Sequence, residues 1–310
     1  MFDQLIHADW SVTPGKRWVA VAERRTARWT VSGPELVGPA GALLERAFAA
    51  AAEGQRLLVG FDFPIGVPAA YGALTKLESF RHLLHKLGGG EWSQFFEVAK
   101  SPSDIRISRP FYPLVSKKGV SRAELVAGLG VRSFDDLLRV CERRTEYRRA
   151  ACSLFWTLGG NQVGKGALTG WQEIIRPALQ RGAALWPFDG TLPDLANAPG
   201  VVLAETYPAE AYRMVNAGFR HGESKRRQAD RRSKGAAVLA WAERHGIVFS
   251  ADASAALNSG FGSQSNGEDQ FDAAMGPLKM IEVTDGRRVE RERTKQPAET
   301  ANWEGWILGR

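Results

Sequence analysis

The chain has 310 residues, 44% hydrophobic and 24% charged, which is enough for one large domain or two ordinary ones around a real core. No apolar run reaches the roughly 18 residues that span a bilayer. The start, MFDQLIHADWS, carries an acid at Asp3 and no basic flank, so neither a membrane partner nor a secretory leader is expected. The formal charge of +7 favours a polyanionic partner.

Residues 3–11, DQLIHADWS, open as a short apolar strand with Asp9 at its carboxyl end. KRWVAVAERR and ARWTVSG are β-branched and aromatic runs parted by polar residues 23–26, the pattern of a hairpin, so a three-strand antiparallel meander is expected. GPAGALLERAFAAAAEGQ follows as an alanine-rich helix stopped near Gly54. RLLVGFDFPIGVP supplies a strand from Arg56 to about Phe61, with Asp62 at its end. A helix between two strands implies a right-handed crossover and parallel pairing with the first strand.

From residue 71 to 197 the pattern loosens into helices and Pro/Gly loops. One helix is expected over RTEYRRAACSLFWTL, where Tyr147, Ala151, Leu154 and Leu158 recur at helical spacing and Gly159 and Gly160 end it. Cys141 and Cys152 form no metal or disulfide framework and fit one helix face, as free thiols of a reducing, cytoplasmic compartment. GVVLAETYPAEAY repeats the Asp62 pattern: an apolar strand ends in Glu205, and a proline opens a helix. A helical region is expected from Ala209 through Lys234 to His245. SNGEDQFDAAMGPLKMI enters a last helix with Ser265 or Asn266 as cap, which Pro277 should kink or stop. The expected α/β fold is a core of residues 1–70 and 198–310, with a mostly helical insertion at 71–197.

Asp9, Asp62 and Glu205 thus share the carboxyl edge of a sheet, where ligands of open α/β folds bind. Asp269 and Asp272, three apart, project from one side of the last helix, beside a Phe271, Met275 and Leu278 stripe that packs on the sheet. Each acid has a plain structural alternative. Asp9 and Asp62 suit turns, Glu205 suits backbone donors at a helix start, and Asp269 suits the helix dipole. Two such charges about 4 Å apart cost on the order of 4 kcal/mol at an effective dielectric near 20. Oxygen ligands without a cysteine pair then favour Mg²⁺ or Mn²⁺. His7, on the strand face of Asp9, reads as a satisfied core histidine.

Residues 220–234 hold seven basic side chains against two acids, and residues 139–149 five against two. Either is a solvated helix face or a phosphate-binding surface; in the second case Lys225, Arg226, Arg231 and Arg232 would hold nucleic-acid phosphates. Trp156, Trp171 and Trp186 fit a core better than base stacking. GGNQVGKG approaches a phosphate-binding loop, but Gly166 stands where a hydroxyl is needed and the loop follows a helix rather than a strand.

The order of strand with Asp, hairpin, helix, strand with Asp, insertion, strand with Glu and helix with Asp-x-x-Asp resembles the RNase H-like nuclease superfamily. DQFDAA looks like the closing acidic pair of RuvC-type resolvases. DFPIGVP, ETYPAEAY and EDQFDAAMG are similar to motifs of domain of unknown function family 429, labelled as nucleases with an RNase H fold. The resemblance covers about residues 5–68 and 201–283; between them FWTLGGNQVGKGALTGW and WPFDG match by general character. It implies an RNase H-like mixed sheet, with Asp9, Asp62 and Asp272 as core metal ligands, Asp269 as an additional ligand and Glu205 as a nearby acid. Two Mg²⁺ or Mn²⁺ ions about 3.5–4 Å apart would serve phosphodiester hydrolysis of nucleic acid. Asp62 stands where the resolvases carry glutamate, which alters the metal spacing. Rival readings are a non-catalytic nucleic-acid-binding or scaffold protein of this fold, and a nucleotide phosphotransferase of P-loop or actin and sugar-kinase type. The last is a duplicated fold, and no second hairpin-plus-acid unit is seen.

Overall fold

The computed structural model describes residues 1–26, 28–115, 120–146, 150–158, 163–288 and 293–310. The strands are β1 (Gln4–Asp9), β2 (Trp18–Arg25), β3 (Arg28–Leu36), β4 (Arg56–Phe61), β5 (Ala184–Leu185), β6 (Gly200–Glu205) and β7 (Ile247–Phe249). The helices are α1 (Ala40–Ala52), α2 (Ala69–Leu74), α3 (Phe80–Lys86), α4 (Arg122–Leu129), α5 (Val163–Gly170), α6 (Arg176–Gln180), α7 (Leu192–Leu195), α8 (Pro208–Met214), α9 (Gln228–Arg244), α10 (Ala251–Ser259), α11 (Gly267–Thr284) and α12 (Ala298–Glu304). They fall into two compact units.

The first unit comprises Met1–Asp62, Pro177–Glu290 and Gly309 and is α/β. Its mixed sheet runs β5-β6-β4-β1-β2-β3-β7, flanked by helices. The expected meander is present, with β1, β2 and β3 antiparallel. After α1, β4 pairs parallel with β1, and β6 pairs parallel with β4. Central β4 and β6 are apolar on both faces, as doubly covered strands must be. In α1, Leu43, Leu44 and Ala47 are buried, and the helix packs against β4 and β6.

Helix α11 lies across β1, β2 and β3 and runs through Pro277 without stopping. Proline lacks the N–H that would bond the carbonyl four residues back. That carbonyl belongs to Ala273, and the His7 Nδ1 reaches it at 3.3 Å. His7 therefore donates from Nδ1 and replaces the missing helical bond. Burial pushes its pKa down to about 4, so the ring is neutral. Helix and strand meet so closely here that a Cβ at Gly276 would stand inside the His7 ring.

Two expectations for this unit change. The helical region beyond Ala209 is two helices, α8 and α9, parted by residues 215–227, where Asn216 and Gly222 take left-handed backbone (φ 59° and 85°). The unit also resumes at Pro177 rather than 198, because β5 pairs with β6.

The second unit comprises Phe63–Arg176, Arg291–Leu308 and Arg310. It is built from short helices and 3₁₀ turns around Phe95, Phe111, Phe155 and Trp171. The terminal segment belongs here rather than to the sheet. The Glu304 carboxylate accepts from the Ala69 and Val140 amides, and buried Arg139 donates to the Ile65 and Glu304 carbonyls while pairing with Glu142. The helix expected over RTEYRRAACSLFWTL is not formed among the described residues. Leu154 and Phe155 are buried in a turn, and Trp156 forms a single bridge with Tyr112, the Tyr112 amide donating to the Phe155 carbonyl and the Thr157 amide to the Tyr112 carbonyl. Tyr147, Gly159 and Gly160 lie outside the described residues. Cys141 sits in a 3₁₀ turn and Cys152 outside any helix, so they share no helix face, and neither forms a disulfide. Among the described residues no helix is long and apolar enough to cross a membrane.

Candidate carboxylate site

Strand register sets the site. His7 lies opposite Gly60 and Ala8 opposite Phe61, so Asp9 and Asp62 emerge side by side where β1 and β4 end. Gly60 keeps this edge tight, because a Cβ there would come within 2.5 Å of Thr206 Cγ2 and 3.0 Å of Met280 Sδ. On α11, Phe271, Met275 and Leu278 are fully buried, which turns Asp269 and Asp272 toward the strand ends.

Asp62 accepts from the Trp10 amide at 2.7 Å and from the Asp9 carboxyl. Burial raises the Asp62 pKa to about 6 against these hydrogen bonds. Asp9 is held well above the usual carboxylate range, first by burial and then by Asp62, Asp272 and Asp269. Asp272 is likewise raised by burial and by Asp62, and Asp269 by burial and Glu268. The hydrogen bond between the Asp9 and Asp62 carboxyls and the Lys225 ammonium on Asp272 Oδ2 relieve the repulsion.

Among the described residues, no group of three or more His, Cys, Asp or Glu side chains is arranged to hold a metal ion. The donor chemistry, as distinct from the arrangement, is of the kind a hard divalent cation takes. Every candidate ligand is a carboxylate oxygen, and the buried Asp272 Oδ1 has no hydrogen-bond partner.

Asp9, Asp62, Asp269 and Asp272 are therefore brought together, and Glu205 is set apart. Glu205 pairs in register with Phe61, whose ring packs edge-on against Trp10, the neighbour of Asp9 that alternates to the other face. In-register neighbours point the same way, so Glu205 faces the side of the sheet away from α11.

The basic residues divide. Arg231 is 1% exposed, and its guanidinium donates to the carbonyls of Gly260, Lys225 and Gly262, so it is spent on the fold rather than offered to phosphate. Lys225 reaches into the acids instead of standing clear as a phosphate contact. Arg226 and Arg232 are exposed, and Arg226 lies 3.8 Å from Glu268. Trp171 and Trp186 are core residues, and Trp156 is half-buried against Tyr112 and Phe134. Gly164, Lys165 and Gly166 lie inside α5, with Gly164 pressed against the Leu154 carbonyl; this excludes a phosphate loop there, and residues 159–162 lie outside the described residues.

Sequence reasoning missed Lys16, an exposed cation of the turn after β1 whose charge acts on Asp269. The signal was local: TPGK is the turn between the Asp9 strand and its hairpin partner. No family model, curated protein or solved structure matches this chain.

Proposed function

We propose that the first unit is an RNase H-like core and that the chain is a Mg²⁺- or Mn²⁺-dependent phosphodiester hydrolase acting on nucleic acid. The strand order β3-β2-β1-β4-β6, antiparallel and then parallel, supports the fold reading. The observation that carries the activity is the gathering of Asp9, Asp62 and Asp272, far apart in sequence, into one anionic cluster with an unsatisfied buried oxygen.

Asp9, Asp62 and Asp272 would hold the ion, with Asp269 at the rim. Bound there, it would supply a lowered water pKa and charge neutralisation at the phosphorus. The Trp10 amide orients the Asp62 carboxylate. Lys16 and Arg226 stand at the rim, where they attract phosphate without reading bases. Arg232, exposed on α9, adds to the salt-dependent attraction.

The test is Mn²⁺-dependent cleavage of single-stranded, duplex and branched DNA and RNA by the full chain and by Asp62→Asn. Cleavage by the wild type, lost in the variant while its fold and nucleic-acid affinity stay near normal, supports the reading. Undiminished turnover by Asp62→Asn refutes it.

A further inference from the structure

Lys225 belongs to residues 215–227, the irregular stretch between α8 and α9. Its ammonium bonds Asp272 Oδ2, yet its side chain is 40% exposed against 10% for Asp272. The backbone beneath it is pinned. Arg231 clamps the Lys225 carbonyl at 2.5 Å, together with the carbonyls of Gly260 and Gly262 at 2.9 Å each. The Ser224 amide donates to Asp230 at 2.8 Å, and Lys234 bonds Glu223 at 2.6 Å. This bracing leaves the freedom in the four-carbon stem of Lys225, a flexible arm carrying a compact charge. The arm ends on one oxygen of Asp272 and leaves the other, buried Oδ1, without a partner.

We propose that Lys225 is the built-in counter-cation of the carboxylate cluster, seated on Asp272 when no divalent ion is bound and displaced by that ion. The inference rests on the reading of Asp9, Asp62 and Asp272 as ion ligands. An ammonium is one charge with one contact here, whereas a divalent ion has two charges and reaches several carboxylates at once. Lys225 leaves at little cost because its head is already partly in water. A group that stabilises only the ion-free state weakens ion binding by the amount of that stabilisation. The braced backbone keeps the displaced ammonium beside the site, next to Arg226, where an incoming phosphate would meet it.

The experiment is calorimetric titration of Mn²⁺ into the full chain, stripped with EDTA, for wild type, Lys225→Met, Lys225→Arg and Arg226→Met, each checked for fold by circular dichroism. Lys225→Met should bind Mn²⁺ about tenfold more tightly than wild type, which corresponds to about 1.4 kcal/mol. Lys225→Arg, which keeps the charge, and Arg226→Met, which removes a rim charge outside the cluster, should both stay within about twofold. Unchanged or weaker binding by Lys225→Met overturns the proposal. So does equal tightening in Arg226→Met, since the effect would then be the general field. Absence of Mn²⁺ binding in all four proteins removes the ion-ligand reading itself, and the counter-cation with it.

Discussion

Replacing Asp62 by asparagine should stabilise the protein in EDTA at alkaline pH while abolishing the proposed Mn²⁺-dependent cleavage. Asp62 ionises near 3.8 in an unfolded chain but holds its proton to about 6 in the fold, chiefly because burial disfavours its charge. Below pH 4 both states are protonated and Asp62 carries no such penalty. Between about pH 4 and 6 the unfolded chain releases the proton first, so wild-type stability falls as pH rises; above 6 the whole penalty is present. At 1.36 kcal/mol per pH unit, the gap from 3.8 to about 6 is worth about 3 kcal/mol. Asp62 keeps some contact with water, which makes that figure a ceiling and about 1–3 kcal/mol the expected range. Asparagine retains the Trp10 contact through its oxygen and offers its amide N–H to Asp9. Urea unfolding in EDTA, followed by circular dichroism, should show the variant and wild type nearly equal at pH 4 and the variant ahead at pH 8. Mn²⁺ at about a thousandfold its Kd should reverse the order, because it stabilises the state that binds it by about 4.1 kcal/mol. A stability difference that is flat from pH 4 to pH 8 would refute the reasoning.

Mn²⁺ affinity should rise with pH, steeply through 6 and beyond, since Asp9 and Asp272 are also raised and must lose protons to bind; titration in two buffers of different ionisation enthalpy should reveal proton release, and a flat affinity would contradict it. Gly276→Ala should cost at least about 1–3 kcal/mol by forcing α11 off His7, and His7→Ala in the same chain should recover part of that loss in a double-mutant cycle, whereas additive losses would break the packing account. Arg231→Met should cost about 2–4 kcal/mol by leaving three carbonyls without their donor, while Arg232→Met should stay within about 0.5 kcal/mol and weaken nucleic-acid binding at low salt. Equal stability losses for the two arginines in thermal unfolding would refute that division.

β1, β4 and β6 and the acids at their ends were legible because apolar runs stopping at an acid are local patterns, and β4 spans the expected Arg56–Phe61, whereas β5 and β7 were not expected. Glu205 followed the same pattern and was misplaced, since pattern alone does not say which face a last residue takes; that required its register against Phe61. Pro277 was expected to interrupt α11 because the remedy, His7, lies on a strand 266 residues earlier than the Ala273 it serves. The basic run at 220–234 was visible as charge, but its division was not. Arg231 and Arg232 are adjacent in sequence, yet one is buried under three carbonyls and the other is solvated. The helix expected over residues 144–158 had the right spacing, but the described residues 150–158 form none, and Trp156 bridges Tyr112 instead, a tertiary contact that outweighed propensity.

What keeps mutually repelling acids together is the apolar side of the same helix. Phe271, Met275 and Leu278 are fully buried, and each such side chain contributes about 1.5–3 kcal/mol. Together they supply about 5–9 kcal/mol toward docking α11, and this packing is what carries Asp272 to Asp9 and Asp62. Its precision comes from the uncharged fittings beneath, namely Gly276 over the His7 ring, His7 on the carbonyl that Pro277 leaves free, and Gly60 under Met280. A cluster of acids held by packing must offset its surplus negative charge by other means. The hydrogen bond between the Asp9 and Asp62 carboxyls and the arm of Lys225 do so.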